Sequence, residues 1–384
     1  MSTLRKFTRR LFVISNLVAV FLFLLACANP WLYPQKWWFI SILAFIFPFL
    51  LLTVILFFLS GLFFRSGRRW ALISFVALLI GGPNIHSFFA FHPATHFIAA
   101  KPPHSLRVLT WNVRSWDEFI TRKGGASGHR IKMMDFIREQ QADVVCFQEF
   151  FEWHNPYEAV PYLAPNISYL QKQMGYPYYY FSRDYHMYDD MLQAGVIIFS
   201  KYPITDTLLL RYKLPEEYKK RETESLIAAD IDVNGTRIRV FTTHLQSVLF
   251  RRQDFQNIAT IKEGGDGTIE ASRSLVRKLR YALVRRAEQA TAVREQMDKS
   301  PYPGFLCGDF NDIPNSWSYF KVKGNWQDAF IKKGFGIGRT YKYISPTLRI
   351  DYILADPRLP VLQCQKFTPP YSDHCPIVAD LQLP

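Results

Sequence analysis

The stretch Leu306-Cys307-Gly308-Asp309-Phe310-Asn311-Asp312 joins an apolar run to a carboxylate and an amide two residues apart. Pro303 to Cys307 reads as a short buried strand. Gly308 reads as the point where the backbone turns, so that Asp309 and Asn311 project from the strand's end. A carboxylate in that position can bind a hard cation or take a proton, and an amide can donate hydrogen bonds to a phosphoryl oxygen. Cleavage of a phosphoester needs both groups on a rigid scaffold. Asp-x-Asn after a glycine is also ordinary turn chemistry, and this stretch alone leaves both readings open.

Further apolar runs end in the same way. Val108-Leu109-Thr110-Trp111-Asn112 closes on an amide, and Val144-Val145-Cys146-Phe147-Gln148-Glu149 closes on a carboxylate. Arg349-Ile350-Asp351-Tyr352-Ile353-Leu354 places an acid inside a strand-like segment, and Ser372-Asp373-His374-Cys375-Pro376 puts an acid and a histidine just before the last strand. None of these polar ends is needed for packing. Strand ends that carry polar residues repeatedly imply one shared mouth.

In chain order, Trp111-Asn112, Gln148-Glu149, Thr243-His244-Leu245, Gly308-Asp309-Phe310-Asn311, Arg349-Ile350-Asp351-Tyr352 and Ser372-Asp373-His374 resemble the endonuclease/exonuclease/phosphatase superfamily. That superfamily includes pancreatic-type deoxyribonucleases, abasic-site endonucleases, neutral sphingomyelinases and inositol polyphosphate 5-phosphatases. The resemblance covers roughly residues 104 to 384 and is that of a membrane-anchored bacterial-type member. It implies a four-layer α/β sandwich of the α+β kind, with two packed mixed sheets flanked by helices.

The resemblance also implies roles. Glu149 would be the principal ligand of Mg²⁺ or Mn²⁺. Asn112 would orient that carboxylate or help coordinate the ion, and Asp373 would hold the same region directly or through water. The pair His374 and Asp351 would activate water or bind the scissile phosphate. Asp309 would orient the nucleophile or manage its proton, Asn311 would stabilise the pentacovalent oxygens, and His244 would bind phosphate or protonate the leaving oxygen. The expected reaction is in-line attack of water on a phosphoester without a covalent enzyme intermediate. The substrate class stays open between nucleic acid and a phospholipid such as sphingomyelin, a phosphoinositide or an anchor lipid. A non-catalytic scaffold is the third reading, and no protein partner is implied.

The order of apolar runs supports the same architecture. Gly128 to Gln141 reads as a helix with Ile131, Met134, Phe136 and Ile137 inward. Gly195 to Ser200, Ser225 to Val233 and Thr236 to Thr243 read as strands, the last two joined by an Asn234-Gly235 hairpin turn. Ser272 to Lys299 reads as one amphipathic helix, with Leu275, Leu279, Leu283, Ala287, Ala290, Val293 and Met297 on one face. Arg273, Arg277, Lys278, Arg280, Arg285, Arg286, Arg294 and Lys299 occupy the other. That basic stripe is either a solvated face or a contact for nucleic acid or anionic headgroups. The aromatic group Tyr176 to Phe181 and the loop Ser182 to Gln193 are expected near the substrate mouth or in the sheet core.

Residues 1 to 103 differ in kind: they contain nine Lys or Arg and no Asp or Glu. Apolar runs at about 11–28, 37–59 and 70–91 are each long enough to cross a hydrocarbon core of about 30 Å, which predicts three transmembrane helices. Pro48 and Gly81-Gly82-Pro83 are places where such helices kink. Arg5, Lys6, Arg9 and Arg10 precede the first run, and Arg65, Arg68 and Arg69 precede the third. Positive-inside logic then puts the N-terminus in the cytoplasm and the domain at 104–384 outside it, in the periplasm if the source is bacterial. A competing reading treats the first run, ending Leu24-Leu25-Ala26-Cys27, as a cleaved signal or lipoprotein leader.

The chain is +14 overall, but after residue 103 only 37 basic residues face 32 acidic ones. Its basicity is therefore mostly topological and argues little for nucleic-acid affinity. The five cysteines have no zinc-site spacing and read as buried thiols, although an oxidising compartment would permit a pair.

Overall fold

The computed structural model describes residues 3–63, 67–93, 96–118, 128–154, 165–214, 223–248 and 268–384. The chain divides into two compact units. One comprises Met1–Phe88, Ser247–Glu288 and Ile313–Lys321, and the other Phe89–Gln246, Gln289–Asp312 and Val322–Pro384.

The first unit opens with helices α1 (Thr3–Cys27), α2 (Pro34–Ser41), α3 (Leu43–Phe63), α4 (Arg68–Ile80) and α5 (Gly82–Phe88). Two stretches, Lys6–Trp31 and Pro34–Phe63, are long and apolar enough to cross a membrane, with mean hydropathies of 2.7 and 3.0. The third expected span is not one straight helix. α4 and α5 meet at a bend of 62°, where Gly81 lets the Phe23 ring come so close that a Cβ would sit 2.5 Å from it. Small and polar residues bring the helices together. A Cβ on Gly61 would lie 2.8 Å from that of Ala71, and buried Ser74 donates to Asn16 Oδ1 at 2.8 Å. Arg65, one of the charges used to orient the spans, lies outside the described residues.

The second unit is built on strands β1 (Ala90–Phe91), β2 (Ser105–Asn112), β3 (Val144–Trp153), β4 (Tyr178–Phe181), β5 (Tyr185–Met187), β6 (Leu192–Ser200), β7 (Ile204–Arg211) and β8 (Ser225–Val233). It continues with β9 (Thr236–His244), β10 (Gly304–Asp309), β11 (Gln327–Asp328), β12 (Phe335–Gly336), β13 (Asp351–Ala355), β14 (Val361–Lys366) and β15 (Ile377–Gln382). One sheet has the order β11-β13-β10-β9-β8-β7, and the other β14-β15-β2-β3-β6-β4 with β5 paired to β6. Both are mixed, because β2–β3 and β9–β10 run parallel while their other pairs are antiparallel.

Period-two alternation assigns each strand residue to a layer. Val108, Cys146, Ile198, Ile227, Val240, Cys307 and Ile353 form the core between the sheets. The alternate residues Leu109, Trp111, Val145, Phe147, Ile197 and Phe199 face outward against α6 (His129–Gln140) and α7 (Asn166–Met174). The Asn234-Gly235 turn has positive φ at both positions, 53° and 90°, the geometry of a tight hairpin turn. All five cysteines are free and buried.

Three local readings need correction. In α6, Met133 is buried beside Met134 and Ile137, whereas Ile131 is exposed, because the helix starts at His129 and the buried stripe is rotated by about one position. The long helix α8 spans Thr268–Asp298, and Arg285, Arg286 and Arg294 on its supposed polar face are buried. Their long stems and paired heads let them pack: Arg294 bonds Asp298 at 2.9 Å and lies over the Trp326 ring. Gly308 does not turn the chain. It is a strand residue, and a Cβ there would lie 2.5 Å from the Thr243 carbonyl oxygen, so glycine serves the close approach of β10 to β9.

Candidate active site

Strand register alone brings three of the expected side chains together. Asp309, the last residue of β10, is the lateral partner of His244 at the end of parallel β9 and of Asp351 at the start of antiparallel β13. Three neighbouring strand ends thus place an imidazole and two carboxylates in one row.

The other sheet contributes through a distortion. β3 pairs with β6 through Phe147↔Ile197 and again through Phe150↔Gly195, so Gln148 and Glu149 together face Val196 in a β-bulge. Glu149 sits in the left-handed region at φ 49°. The bulge sends Gln148 into the core, where its Nε2 donates to Thr242 Oγ1 at 3.0 Å. It leaves Glu149 as the accessible acid of the site, with 40% of its side chain exposed. Asn311 at φ 50° and Ser372 at φ 54° share this unfavourable conformation, which non-glycine residues hold only where the surroundings over-determine it.

Asn112, at the end of β2, links the two halves. Its Nδ2 donates to Glu149 Oε1 and to Asp309 Oδ2, each at 3.0 Å, and its Oδ1 accepts the Arg114 backbone N–H at 3.0 Å. Its polar atoms are therefore occupied by protein groups, and it positions the two carboxylates. Asp309 Oδ2 also lies 3.6 Å from Nε2 of both His244 and His374. Asn311 closes the group: its backbone N–H donates to Asp309 Oδ1 at 2.8 Å, and its Nδ2 reaches Leu245 O at 3.0 Å and His244 Nε2 at 2.9 Å.

The loop before β15 is held from several sides. Trp111 Nε1 donates to the His374 carbonyl at 3.0 Å, Ser372 Oγ donates to the Asn112 carbonyl at 2.8 Å, and the Ser372 N–H donates to Asp117 Oδ2 at 2.7 Å. His374 Nδ1 lies 3.0 Å from both oxygens of Asp351, which fixes the proton on Nδ1 and aims Nε2 at Asp309. Thr340 Oγ1 in turn accepts the backbone N–H groups of Ile350 and Asp351 at 2.9 and 3.1 Å.

This crowding shifts the titration of the group. Burial alone would lower the His374 imidazole, but the charges of Asp351 and Asp309 outweigh it and push the ring up to about 10. Burial first, then the charge of Asp351, raises Asp309 to about 6. Burial also raises Asp373, against the pull of His374 and Arg114. Burial and the nearby Asp373 hold the Tyr341 hydroxyl protonated up to about 12.

All eight expected positions, Asn112, Glu149, His244, Asp309, Asn311, Asp351, Asp373 and His374, lie in this one region. Among the described residues, Asp309, Asp351 and His374 offer possible ligand atoms within 4.8 Å of one another. The donor set fits a hard divalent cation. Glu149 presents an accessible carboxylate, the buried carboxylates of Asp309 and Asp373 add hard oxygen atoms in the same region, and burial raises both of these acids, so a cation there would offset the cost of ionising them.

Arg114 and Tyr341 were not singled out from sequence. Arg114 Nε lies 3.3 Å from Asp373 Oδ2, and the Tyr341 ring packs 5.0 Å from that of His374. A basic residue two positions after Asn112 was the available signal for the first. Tyr341 had none, because only its bridge to His374 places it there. Of the aromatic group, Tyr176 and Phe181 are core residues and Tyr178 is exposed.

The Endonuclease/Exonuclease/phosphatase family model matches residues 109–374. The chain belongs to this family. A second model, a domain of unknown function (DUF8431), matches residues 9–88. A search of curated proteins gave no match. Among solved structures, the chain is similar to an endonuclease/exonuclease/phosphatase from Beutenbergia cavernae at 18% identity, covering 73% of this chain and 72% of that one with a TM-score of 0.51. It is also similar to Danio rerio TDP2 complexed with a single-strand DNA product, at 15% identity over 72% and 98% of the two chains and a TM-score of 0.47. The Bacteroides thetaiotaomicron mannosyl-6-phosphatase matches at 19% identity over 72% and 99%, with a TM-score of 0.45.

Proposed function

We propose that this member of the family is a phosphodiesterase that depends on Mg²⁺ or Mn²⁺, hydrolyses nucleic-acid phosphodiesters by in-line attack of water, and is anchored in a membrane by its N-terminal helices. The observation that carries the reading is the convergence on Asp309 Oδ2 of Asn112 Nδ2 at 3.0 Å and of two imidazole Nε2 atoms at 3.6 Å, with accessible Glu149 beside them.

Glu149 would hold the cation, and Asp309 and Asp373 would complete its surroundings directly or through water. When bound, the cation supplies charge that offsets the phosphoryl oxygens. The remaining roles follow from the side chains. His374, charged at neutral pH and fixed by Asp351, donates from Nε2 to a phosphoryl oxygen. Asp309, with its pKa near the working range, orients the attacking water and receives its proton. Asn311 spends its amide hydrogens on Leu245 O and His244 Nε2, so it steadies His244, which faces the leaving oxygen. Arg114 stands at the rim beside Asp373 as a further phosphate contact.

A phospholipid is the second reading, favoured by the apolar stretches Lys6–Trp31 and Pro34–Phe63 in the same chain. The deciding experiment offers the detergent-solubilised full chain plasmid DNA, RNA, sphingomyelin and phosphoinositides in parallel with Mg²⁺ or Mn²⁺. Cleavage of nucleic acid abolished by Glu149→Ala is the expected result. Cleavage of lipid alone would replace the nuclease reading, and no metal-dependent cleavage would contradict both.

A further inference from the structure

In the first unit, a groove of about 540 Å³ lies between α2 and the first turns of α8. Arg273, Arg277 and Arg280 line it at a spacing of four and three, one face of the helix, with exposed Ile269 and Val276 beside them. The Arg280 guanidinium lies over the Trp38 ring at 5.4 Å from its centroid. Among the described residues, none of these three guanidinium groups is within ion-pair distance of a carboxylate. Glu270, the acid on this part of the helix, does not line the groove.

The position of the groove says what such a lining is for. α2 opens the second long apolar stretch, Pro34–Phe63, directly after the two-residue turn that follows the first, Lys6–Trp31. Tryptophans concentrate where such stretches meet water, and Trp31 and Trp37 here are 76% and 43% exposed. A groove at that level combines a bidentate phosphate reader, a cation–π platform and apolar side chains. A phospholipid offers the matching parts in one molecule: a phosphodiester, a glycerol backbone and the first carbons of its chains.

We propose that this groove is a headgroup site for anionic phospholipid, which ties the N-terminal part of α8 to the bilayer surface. The charge decides the lipid class. Among the described residues, three guanidinium groups without an ion-pair partner and without a lining carboxylate favour a net-negative headgroup, and a zwitterionic one would bring its own cation into the same space. The site is separate from the strand-end cluster around Asp309 and does not depend on any catalytic role for it.

The test uses the full chain purified in neutral detergent. Retained lipid is counted by native mass spectrometry after addition of phosphatidylglycerol or phosphatidylcholine, in wild type and in the triple variants Arg273→Gln/Arg277→Gln/Arg280→Gln and Arg273→Lys/Arg277→Lys/Arg280→Lys. Phosphatidylglycerol should bind at least tenfold more tightly than phosphatidylcholine. The glutamine variant should lose on the order of 100-fold, about fivefold for each charge, while the lysine variant retains most of the binding. Glycerol 3-phosphate should not displace the lipid, since it lacks the chains that Ile269, Val276 and Trp38 contact.

Equal retention of both lipids, or unchanged retention in a glutamine variant whose helical circular dichroism matches wild type, would overturn the proposal. If the glutamine variant does not fold, the wild-type salt titration decides. Phosphatidylglycerol binding that does not weaken between roughly 50 and 500 mM salt contradicts a site built on charge. Displacement of the lipid by a single-stranded oligonucleotide through the same arginines would reassign the groove to nucleic acid.

Discussion

His374 presents Nδ1 to both oxygens of Asp351 at 3.0 Å and Nε2 to Asp309 Oδ2 at 3.6 Å, so that one buried imidazole bridges two carboxylates. The two acids are themselves lateral partners on adjacent strands, and β-sheet geometry holds them at a distance the histidine can span. Burial lowers the ring's proton affinity, but the two negative charges win and keep it charged up to about pH 10.

Replacement of Asp351 by asparagine should therefore bring the His374 titration down by several units, towards the ordinary 6.5. Nitrogen chemical shifts of the ring report this directly. If the charged ring holds phosphate, hydrolysis at pH 8 should fall by about 10²- to 10⁴-fold in this variant, with a smaller loss at pH 6, where the ring regains its proton. A ring that still titrates near 10 without Asp351 would remove the pairing from the account.

Asp309 should set the acid limb of the pH–rate profile. Its carboxyl is raised to about 6, so below that pH it holds the proton it would otherwise receive, and the rate should climb as pH rises through 6. A cation bound beside it favours the ionised form, so the limb should move to lower pH as the metal concentration increases. Asp309→Asn should abolish both the limb and most of the activity. A limb that ignores metal concentration would place the cation elsewhere.

Glu152, three residues along β3 from Glu149, gives a stability test at a carboxyl the proposed mechanism does not use. Its Oε2 accepts the backbone N–H groups of Asn166 and Ile167 at 2.8 Å each, at the start of α7, yet burial outweighs these bonds and raises it from 4.5 to about 7. A raised carboxyl binds more protons folded than unfolded. The stability linked to it is fully present below about pH 4.5 and lost as pH rises through 7. Glu152→Gln keeps the acceptor and removes the charge. It should match wild type at pH 4.5 and be more stable at pH 8 by at most about 3 kcal/mol. Thermal unfolding at the two pH values reads the difference, and a less stable variant at pH 8 would show that the charged form is the one the fold favours.

Gly308→Ala tests the close approach of β10 to β9. A methyl group 2.5 Å from the Thr243 carbonyl forces two paired strands apart, at a cost of about 1–3 kcal/mol. Because Asp309 and His244 are the next pair along the same ladder, the variant should lose activity beyond what its lowered melting temperature explains. Unchanged stability and turnover would show that the strands yield without disturbing the site.

The strand ends were legible because their polar residues interrupt apolar runs that pack well without them. The Ser225–Val233 strand and the Asn234-Gly235 turn were legible because alternation and left-handed φ are local properties. What the sequence hides is non-local. The bulge that frees Glu149 exists only in relation to β6, and the meeting of Asp309 with His244 and Asp351 is a register across three strands distant in the chain. Burial of Arg285 and Arg286 follows from what packs on α8, whereas helical spacing alone places them on the basic face opposite the apolar one. The bend at Gly81 is foreshadowed by Gly81-Gly82-Pro83, but the packing of the Phe23 ring against Gly81 is a contact between residues distant in the chain.

The most direct measurement is hydrolysis of bis-p-nitrophenyl phosphate by the full-length protein in detergent, with Mg²⁺ or Mn²⁺, with a chelator, and with Glu149→Gln. Turnover that vanishes with the chelator, returns on adding metal, and is lowered by at least about 10³-fold in a folded Glu149→Gln variant is the expected result. Turnover unchanged by the chelator, or unchanged by Glu149→Gln, would contradict a metal-dependent phosphoesterase centred on Glu149 and Asp309.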